Sequence, residues 1–201
     1  METVALHGAN AQVPERHSAR RFMRGLVTMA QLSALLGILR RHSHAGGYKY
    51  NYASAGALYP VQTYLHVRKP ESFGVANFTG GAYQYQPASH QLAMISAHVP
   101  YDRTLHAPIN RPVFEQSAFS IFLVGDLDAI APVYGGEALR MATLEAGLMT
   151  QLLEQAAGGL GLGTCHVGYP ADDRYRTYFA LPPSHVLLHM LLIGRAFVVA
   201  A

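Results

Sequence analysis

The sequence predicts an α+β fold on three observations. It holds several apolar runs of strand length, two stretches with helical apolar spacing, and no strict alternation of strand and helix between them. The chain has 201 residues and no repeat, low-complexity tract or charged linker, so it reads as one domain over residues 1–201, with residues 1–15 as a flexible N-terminal arm.

In chain order, Thr28 to Arg40 carries Met29, Leu32, Leu35, Leu36, Ile38 and Leu39 at close to helical spacing, which predicts a helix that stops in a polar loop from Arg41 to Gly47. Val61 to Val67 is rich in β-branched and aromatic residues and predicts a strand. Gly81 to Tyr85 and Gln91 to Ile95 flank the turn-like Gln86-Pro87-Ala88-Ser89 and predict a hairpin. Phe119 to Val124 and Val186 to Ile193 are apolar runs of strand length. Between them, Glu137 to Ala157 predicts a long helix, apolar on nearly all sides and stopped by Gly158-Gly159. Cys165 follows on a further buried strand. The strands are expected to form one mixed or antiparallel sheet.

Composition excludes several classes. The net charge of +3 comes with no dense Lys/Arg run, so no nucleic-acid partner is expected. No apolar run reaches the roughly 18 residues of a membrane span, and Met1 to Arg16 lacks the apolar region of a secretory signal, so the expected address is the cytoplasm. A single cysteine excludes an intrachain disulfide and any multi-cysteine metal or iron-sulfur site. His185 and His189 lie four apart on a predicted strand, about 13 Å from each other, and make no metal pair. Charged residues are only 13% of the chain while half is apolar or aromatic, which suggests surface buried against a second copy.

Two segments carry candidate chemistry. In Arg16-His17-Ser18-Ala19-Arg20-Arg21, an extended backbone lets Arg16, Ser18 and Arg20 converge on one anion, and two guanidinium forks with a hydroxyl suit a phosphate; the alternative is a solvated basic arm. Gly158-Gly159-Leu160-Gly161-Leu162-Gly163 is glycine-rich but follows a helix and departs from the dinucleotide-binding pattern, so it reads as a helix stop.

The first of these segments resembles the one by which nitroreductase-family enzymes grip the FMN phosphate. Further matches follow in order. Ala53-Ser54-Ala55-Gly56-Ala57-Leu58-Tyr59-Pro60 is similar to the Pro-Ser-Ala-Gly-x-Leu-Tyr-Pro motif of the family's azoline-oxidase branch, with Ala53 in place of Pro. Leu144-Glu145-Ala146-Gly147 resembles the branch's central helix, Leu160 to Gly168 its flavin-edge segment, and Leu192-Ile193-Gly194-Arg195 its last strand. Tyr48 through Leu65 and Ser184 through His189 most resemble oxidase domains of nonribosomal peptide synthetases.

The resemblance implies a nitroreductase-like fold in an intertwined homodimer that holds FMN. It assigns Arg16, His17, Ser18, Arg20 and Arg195 to the phosphate, Ser54, Ala55, Gly56 and Leu58 to the flavin wall supplied by the neighbouring subunit, and Cys165, His166, Val167 and Gly168 to the ring edge. It implies oxidation of a thiazoline or oxazoline, tethered to a carrier protein, to thiazole or oxazole: a proton leaves the α-carbon, a hydride goes from the β-carbon to flavin N5, and O2 reoxidises the flavin. Ribosomal-peptide members carry a Lys-Tyr pair before the central helix where this chain has Val133-Tyr134. Tyr134 and Lys49 are therefore the candidate catalytic residues; the plain alternative for Tyr134 is a surface tyrosine in a Val-Tyr-Gly-Gly turn. Two other functions share the pattern: a nicotinamide-dependent nitroreductase or quinone reductase, and a non-catalytic scaffold that binds flavin or a carrier protein.

Overall fold

A computed structural model describes residues 16–68, 73, 78–96, 100–168 and 173–197; the proposed arm, residues 1–15, lies outside them. Helix α1 (Met29–Gly37) begins at a capping box in which Thr28 Oγ1 accepts from the Gln31 amide (3.1 Å) and Gln31 Oε1 accepts from the Thr28 amide (2.8 Å). The same Gln31 donates to the Leu160 carbonyl at 2.8 Å, tying α1 to the end of the long helix. The expected loop from Arg41 to Gly47 is instead a small hairpin, β1 (His42–His44) with β2 (Gly47–Lys49). All six of its residues are exposed, so it has no apolar alternation by which to announce itself.

A six-stranded sheet forms the centre. It comprises β3 (Val61–Val67), the hairpin β4 (Gly81–Gln86) and β5 (Gln91–Ser96), then β6 (Phe119–Asp126), β7 (Leu162–Val167) and β8 (His185–Arg195). The spatial order is β5-β4-β3-β6-β8-β7, and every neighbouring pair is antiparallel. Strand β6 is mostly apolar, with Ser120 as a buried polar residue within it, because both of its faces are covered. Ile121 and Leu123 pack on one side with Leu35, Leu65, Met149, Leu153 and Leu191, while Phe122 and Val124 pack on the other with Phe22, Phe114, Tyr178 and Leu192.

The first face is covered by α1 and the long helix α4 (Ala138–Gly159). Its buried stripe is Ala138, Ala142, Glu145, Ala146, Met149, Leu153 and Ala157, at the spacing of a helix resting on a sheet. The other side of α4 leaves Leu139, Leu144 and Leu148 exposed, so the helix is covered on one face only within a single chain. The second sheet face is covered by α2 (Arg111–Gln116) and α5 (Arg174–Tyr178). Before α4 comes α3 (Leu127–Tyr134), started by Asp126, whose carboxylate accepts from the Asp128 amide at 3.1 Å.

The N-terminal segment lies along the free side of β7. Ala19 N–H donates to the Thr164 carbonyl (2.7 Å) and Met23 N–H to the Arg195 carbonyl (3.0 Å). Phe22 then lies flat over Gly194, where a Cβ would stand 2.6 Å from the ring; only glycine admits this contact.

Candidate functional site

Docking of residues 19–23 on β7 and on the end of β8 lays a line of basic side chains beside the end of α4. Arg16, His17, Arg20 and Arg21 form one wall of a groove of about 670 Å³, and Glu154, Gly158, Leu162, Gly163 and Thr164 form the other. Arg16 Nη1 donates to Ser18 Oγ and to Glu154 Oε1, each at 3.2 Å, so the expected meeting of Arg16 with Ser18 is present. Arg20 turns to the strand and donates to Cys165 Sγ at 3.6 Å. Three arginines therefore line the groove beside one carboxylate, a set of side chains that suits a phosphate dianion such as that of FMN.

Glu154 is held by more than Arg16. Thr164 Oγ1 donates to its Oε1 at 3.4 Å, and His166 Nε2 stands 3.2 Å from the same oxygen. The other nitrogen of His166 is hydrogen-bonded with His189 Nε2 at 3.1 Å. His189 thus partners His166 from the adjacent strand, and burial lowers its pKa. Cys165 and Val167 alternate with Thr164 and His166 and are buried on the opposite face of the sheet, burial pushes the Cys165 thiol up against the opposing effect of Arg20, and Gly168 is exposed at the strand's end. Arg195, also assigned to the phosphate, lies elsewhere: its guanidinium rests against Gly25 in a separate cavity with Arg24, Glu115 and Gln116. On the sheet it pairs with Leu162 of the groove wall, but its side chain turns away from the groove to Gly25.

The second part of the site is the segment from Ala53 to Pro60. It makes a 3-10 turn over Ala55–Ala57, and Gly56, Ala57 and Tyr59 all have positive φ, at 59°, 56° and 51°. For Ala57 and Tyr59 that left-handed conformation is strained and must be imposed by the surroundings. Ser54 is one of the restraints, its Oγ accepting from the Tyr59 amide at 2.8 Å. Tyr134, at the end of α3, lies over this turn, and a Cβ on Gly56 would be 3.3 Å from the Tyr134 hydroxyl. The structure therefore brings Tyr134 and the Ser54–Leu58 segment together. Lys49 stays apart. It is exposed on β2, and alternation places it on the opposite side of the hairpin from Tyr48 and Tyr50, whose rings pack toward Tyr59 at 6.1 and 4.4 Å.

One residue of this site was not singled out from the sequence for its side chain. Glu145 is 2% exposed, its Oε1 accepts from the Val61 amide at 3.2 Å, and Ser54 lines the same cavity, close enough to lower its pKa. Burial pushes its carboxyl up to about 7, against Ser54 and the Val61 hydrogen bond, which lower it. The helical spacing Ala142, Glu145, Met149 was the available signal that this carboxyl faces inward.

A sheet of antiparallel strands with a long central helix, a phosphate-suited groove at one end of that helix and a strained turn at the other defines a class of protein. The nitroreductase family model matches residues 13–195, and the chain belongs to that family of flavin oxidoreductases. It is 34% identical over 114 residues to indigoidine synthase of Streptomyces lavendulae, a match covering 57% of this chain and 8% of that protein. A Methanocaldococcus jannaschii protein described as a nitroreductase is 27% identical over 182 residues, covering 90% of this chain and 87% of its own. Thus the chain spans under a tenth of one relative and most of the other.

Among solved structures, a chain of the Escherichia coli microcin synthetase McbBCD complex superposes with a TM-score of 0.82 at 19% identity, covering 98% of this chain and 75% of that one. A nitroreductase-like protein of Streptococcus mutans gives 0.62 at 14%, covering 92% and 87%. These confirm the nitroreductase fold. Among the described residues no helix is long and apolar enough to cross a membrane.

Proposed function

We propose that the chain is an FMN-dependent oxidase that aromatises a thiazoline or oxazoline carried on a peptidyl or acyl carrier protein. The observation that carries this reading is Tyr134 seated on the Ser54–Leu58 turn, where the azoline-oxidase motifs and the tyrosine kept from that branch meet. The likenesses to indigoidine synthase and to a McbBCD chain support it. FMN, when bound, supplies the hydride acceptor that O2 restores.

The chain's own residues divide the remaining work. Arg16, Ser18 and Arg20 bind the phosphate, with His17 beside them, and the backbone of Cys165, His166, Val167 and Gly168 lines the ring edge. Arg195 joins the phosphate only if its side chain leaves Gly25. Tyr134 contributes to proton abstraction or substrate orientation, with Lys49 as the second candidate.

A homodimer completes this site. On α4, Glu145 beside Ser54 and Glu154 beside Arg16 are nine residues apart, about 13 Å at 1.5 Å per residue, so the two parts stand at different places along one chain. The exposed Leu139, Leu144 and Leu148 lie on the same helix ahead of Glu154, and covering them with a second copy brings one chain's turn to the other's groove.

The test is an absorbance spectrum of the purified protein, followed by anaerobic addition of a thioester-mimic thiazoline or of NADPH. Bleaching of the flavin by the thiazoline, reversed by air, is the expected result, and Tyr134→Phe slows it. Bleaching by NADPH alone instead favours the nitroreductase reading, which the full-length match to the Methanocaldococcus protein supports. Protein without flavin favours the scaffold.

A further inference from the structure

We infer that Glu145 is the positioning residue of the candidate site: its buried carboxyl clamps both ends of the strained Ala53–Pro60 turn and so fixes the surface on which Tyr134 rests. This rests on the reading of that turn as the flavin wall, but the clamp itself is defined by contacts within the chain.

The contacts close a loop. At the far end of the turn, Val61 N–H donates to Glu145 Oε1 at 3.2 Å; at the near end, Ser54 lines the same cavity as that carboxyl and lowers its pKa. Ser54 in turn accepts from the Tyr59 amide at 2.8 Å, so one side chain of α4 reaches both flanks of the segment. Between those flanks stand the left-handed Ala57 and Tyr59, which relax to ordinary backbone unless something holds them. Restraints reach across from other elements: the carboxyl and the Asp126 amide, which donates to the Pro60 carbonyl at 3.0 Å, are polar, while Tyr134 against Gly56 and the Tyr48, Tyr50 and Tyr52 rings around Tyr59 are packing contacts. Neither the oxidase chemistry nor phosphate binding uses Glu145, yet a carboxyl is kept here among Met141, Leu144 and Leu148. A group so costly to bury persists where it does specific work.

The same burial gives the clamp a pH signature. The titratable groups facing Glu145 are the phenols of Tyr50 and Tyr52, both raised by burial first of all, and among the described residues no cation stands against the carboxyl to hold it ionised. The closed turn therefore binds a proton more tightly than an opened turn in which Glu145 meets water. Since the closed-state pKa is raised, closure is favoured most at low pH, weakens as pH rises from the ordinary carboxylate range to about 7, and is level above that.

The experiment measures amide hydrogen exchange at Tyr59 and Val61 in the full chain as purified, corrected for intrinsic exchange, at about pH 5 to 8, with FMN affinity by fluorescence alongside. In the wild-type protein, protection at both amides falls by up to about a hundredfold between pH 5 and 7 and then levels. Glu145→Gln keeps an acceptor for Val61 and Ser54 but cannot ionise: protection stays within about threefold of the wild-type value at pH 5, and the slope disappears. Glu145→Ala loses at least about tenfold in protection at both amides, and FMN binding weakens with it.

Should Glu145→Ala fail to fold, Ser54→Ala cuts the near end alone and must raise exchange at Tyr59 more than at Val61. Glu145→Gln that still slopes with pH, or Glu145→Ala with wild-type protection, overturns the clamp. If exchange behaves as expected while FMN binding ignores all three variants, the clamp stands and it is the flavin-wall reading that fails.

Discussion

Two histidines buried on the sheet face away from the site set an acid limit on stability. His106 is fully buried, with its ring stacked on Phe114 at 4.3 Å and neither nitrogen hydrogen-bonded among the described residues. His66 is buried beside it, its Nδ1 paired with the Tyr178 hydroxyl at 2.6 Å and its Nε2 without a partner. Burial lowers His66 to about 3, helped by Arg68 and His106, and lowers His106 to about 4 against the opposing pull of Asp102.

Because both folded values are depressed, the stability they contribute is present above the unfolded value near 6.5 and is lost as pH falls below it. At pH 5 both histidines are still neutral in the folded state and largely charged in the unfolded one. Each therefore costs about 2 kcal/mol between pH 7 and 5, a result that does not depend on how far below 5 the folded values lie. Together they remove about 4 kcal/mol, or about 8–16 °C of Tm for a chain of this length.

The assay is calorimetric or circular-dichroism melting of the wild-type protein and His106→Phe at the two pH values. Phenylalanine keeps the stacked ring and abolishes the titration, so the variant should lose about 2 kcal/mol less on acidification and melt higher at neutral pH, where two orphaned nitrogens are gone. Equal falls in Tm for the two proteins would refute the reasoning.

Three further outcomes are expected. Arg16→Ala with Arg20→Ala removes two of the three arginines that line the groove and should weaken FMN binding by at least about a hundredfold, read by fluorescence titration. Leu144→Asp, on the exposed face of α4, should shift the protein from dimer to monomer by light scattering while leaving the chain folded, because the side chain is 56% exposed within one chain. Ala57→Gly relieves a left-handed alanine at φ 56° and should raise stability by about 0.5–1 kcal/mol in urea unfolding.

Where burial and period agree, the fold was legible from sequence. The strand Val61–Val67 and the Gly81–Gln86 and Gln91–Ser96 hairpin lie where alternation and turn residues put them, and α4 begins one residue after the expected start and runs through Gly158-Gly159. Helix α3 was not legible, because Pro132 and the glycine pair after Tyr134 are turn signals that local packing overrides. In the site, the meeting of Arg16 with Ser18 follows from two-residue spacing, whereas the turn of Arg20 toward Cys165 depends on β7, which is distant in sequence. Glu145 was quoted as part of a motif, but a carboxyl between Leu144 and Ala146 discloses nothing of its partners, which lie far away in the chain.

The strand order also governs when the molecule can become a molecule at all. Strand β8 is the last of the sheet to leave the ribosome, yet it sits between β6 and β7 and hydrogen-bonds to both. Until residue 195 is made, β6 carries an open apolar edge with half its ladder missing, and β7 lacks its strand partner in the sheet. Nascent chains therefore pass through a stage that is sticky and cannot be shortened by fast local folding, since the contact that closes the sheet joins segments about 70 residues apart. Truncations within β8 should accumulate as aggregates, while the same number of residues removed from the exposed β1–β2 hairpin leaves the order of assembly untouched.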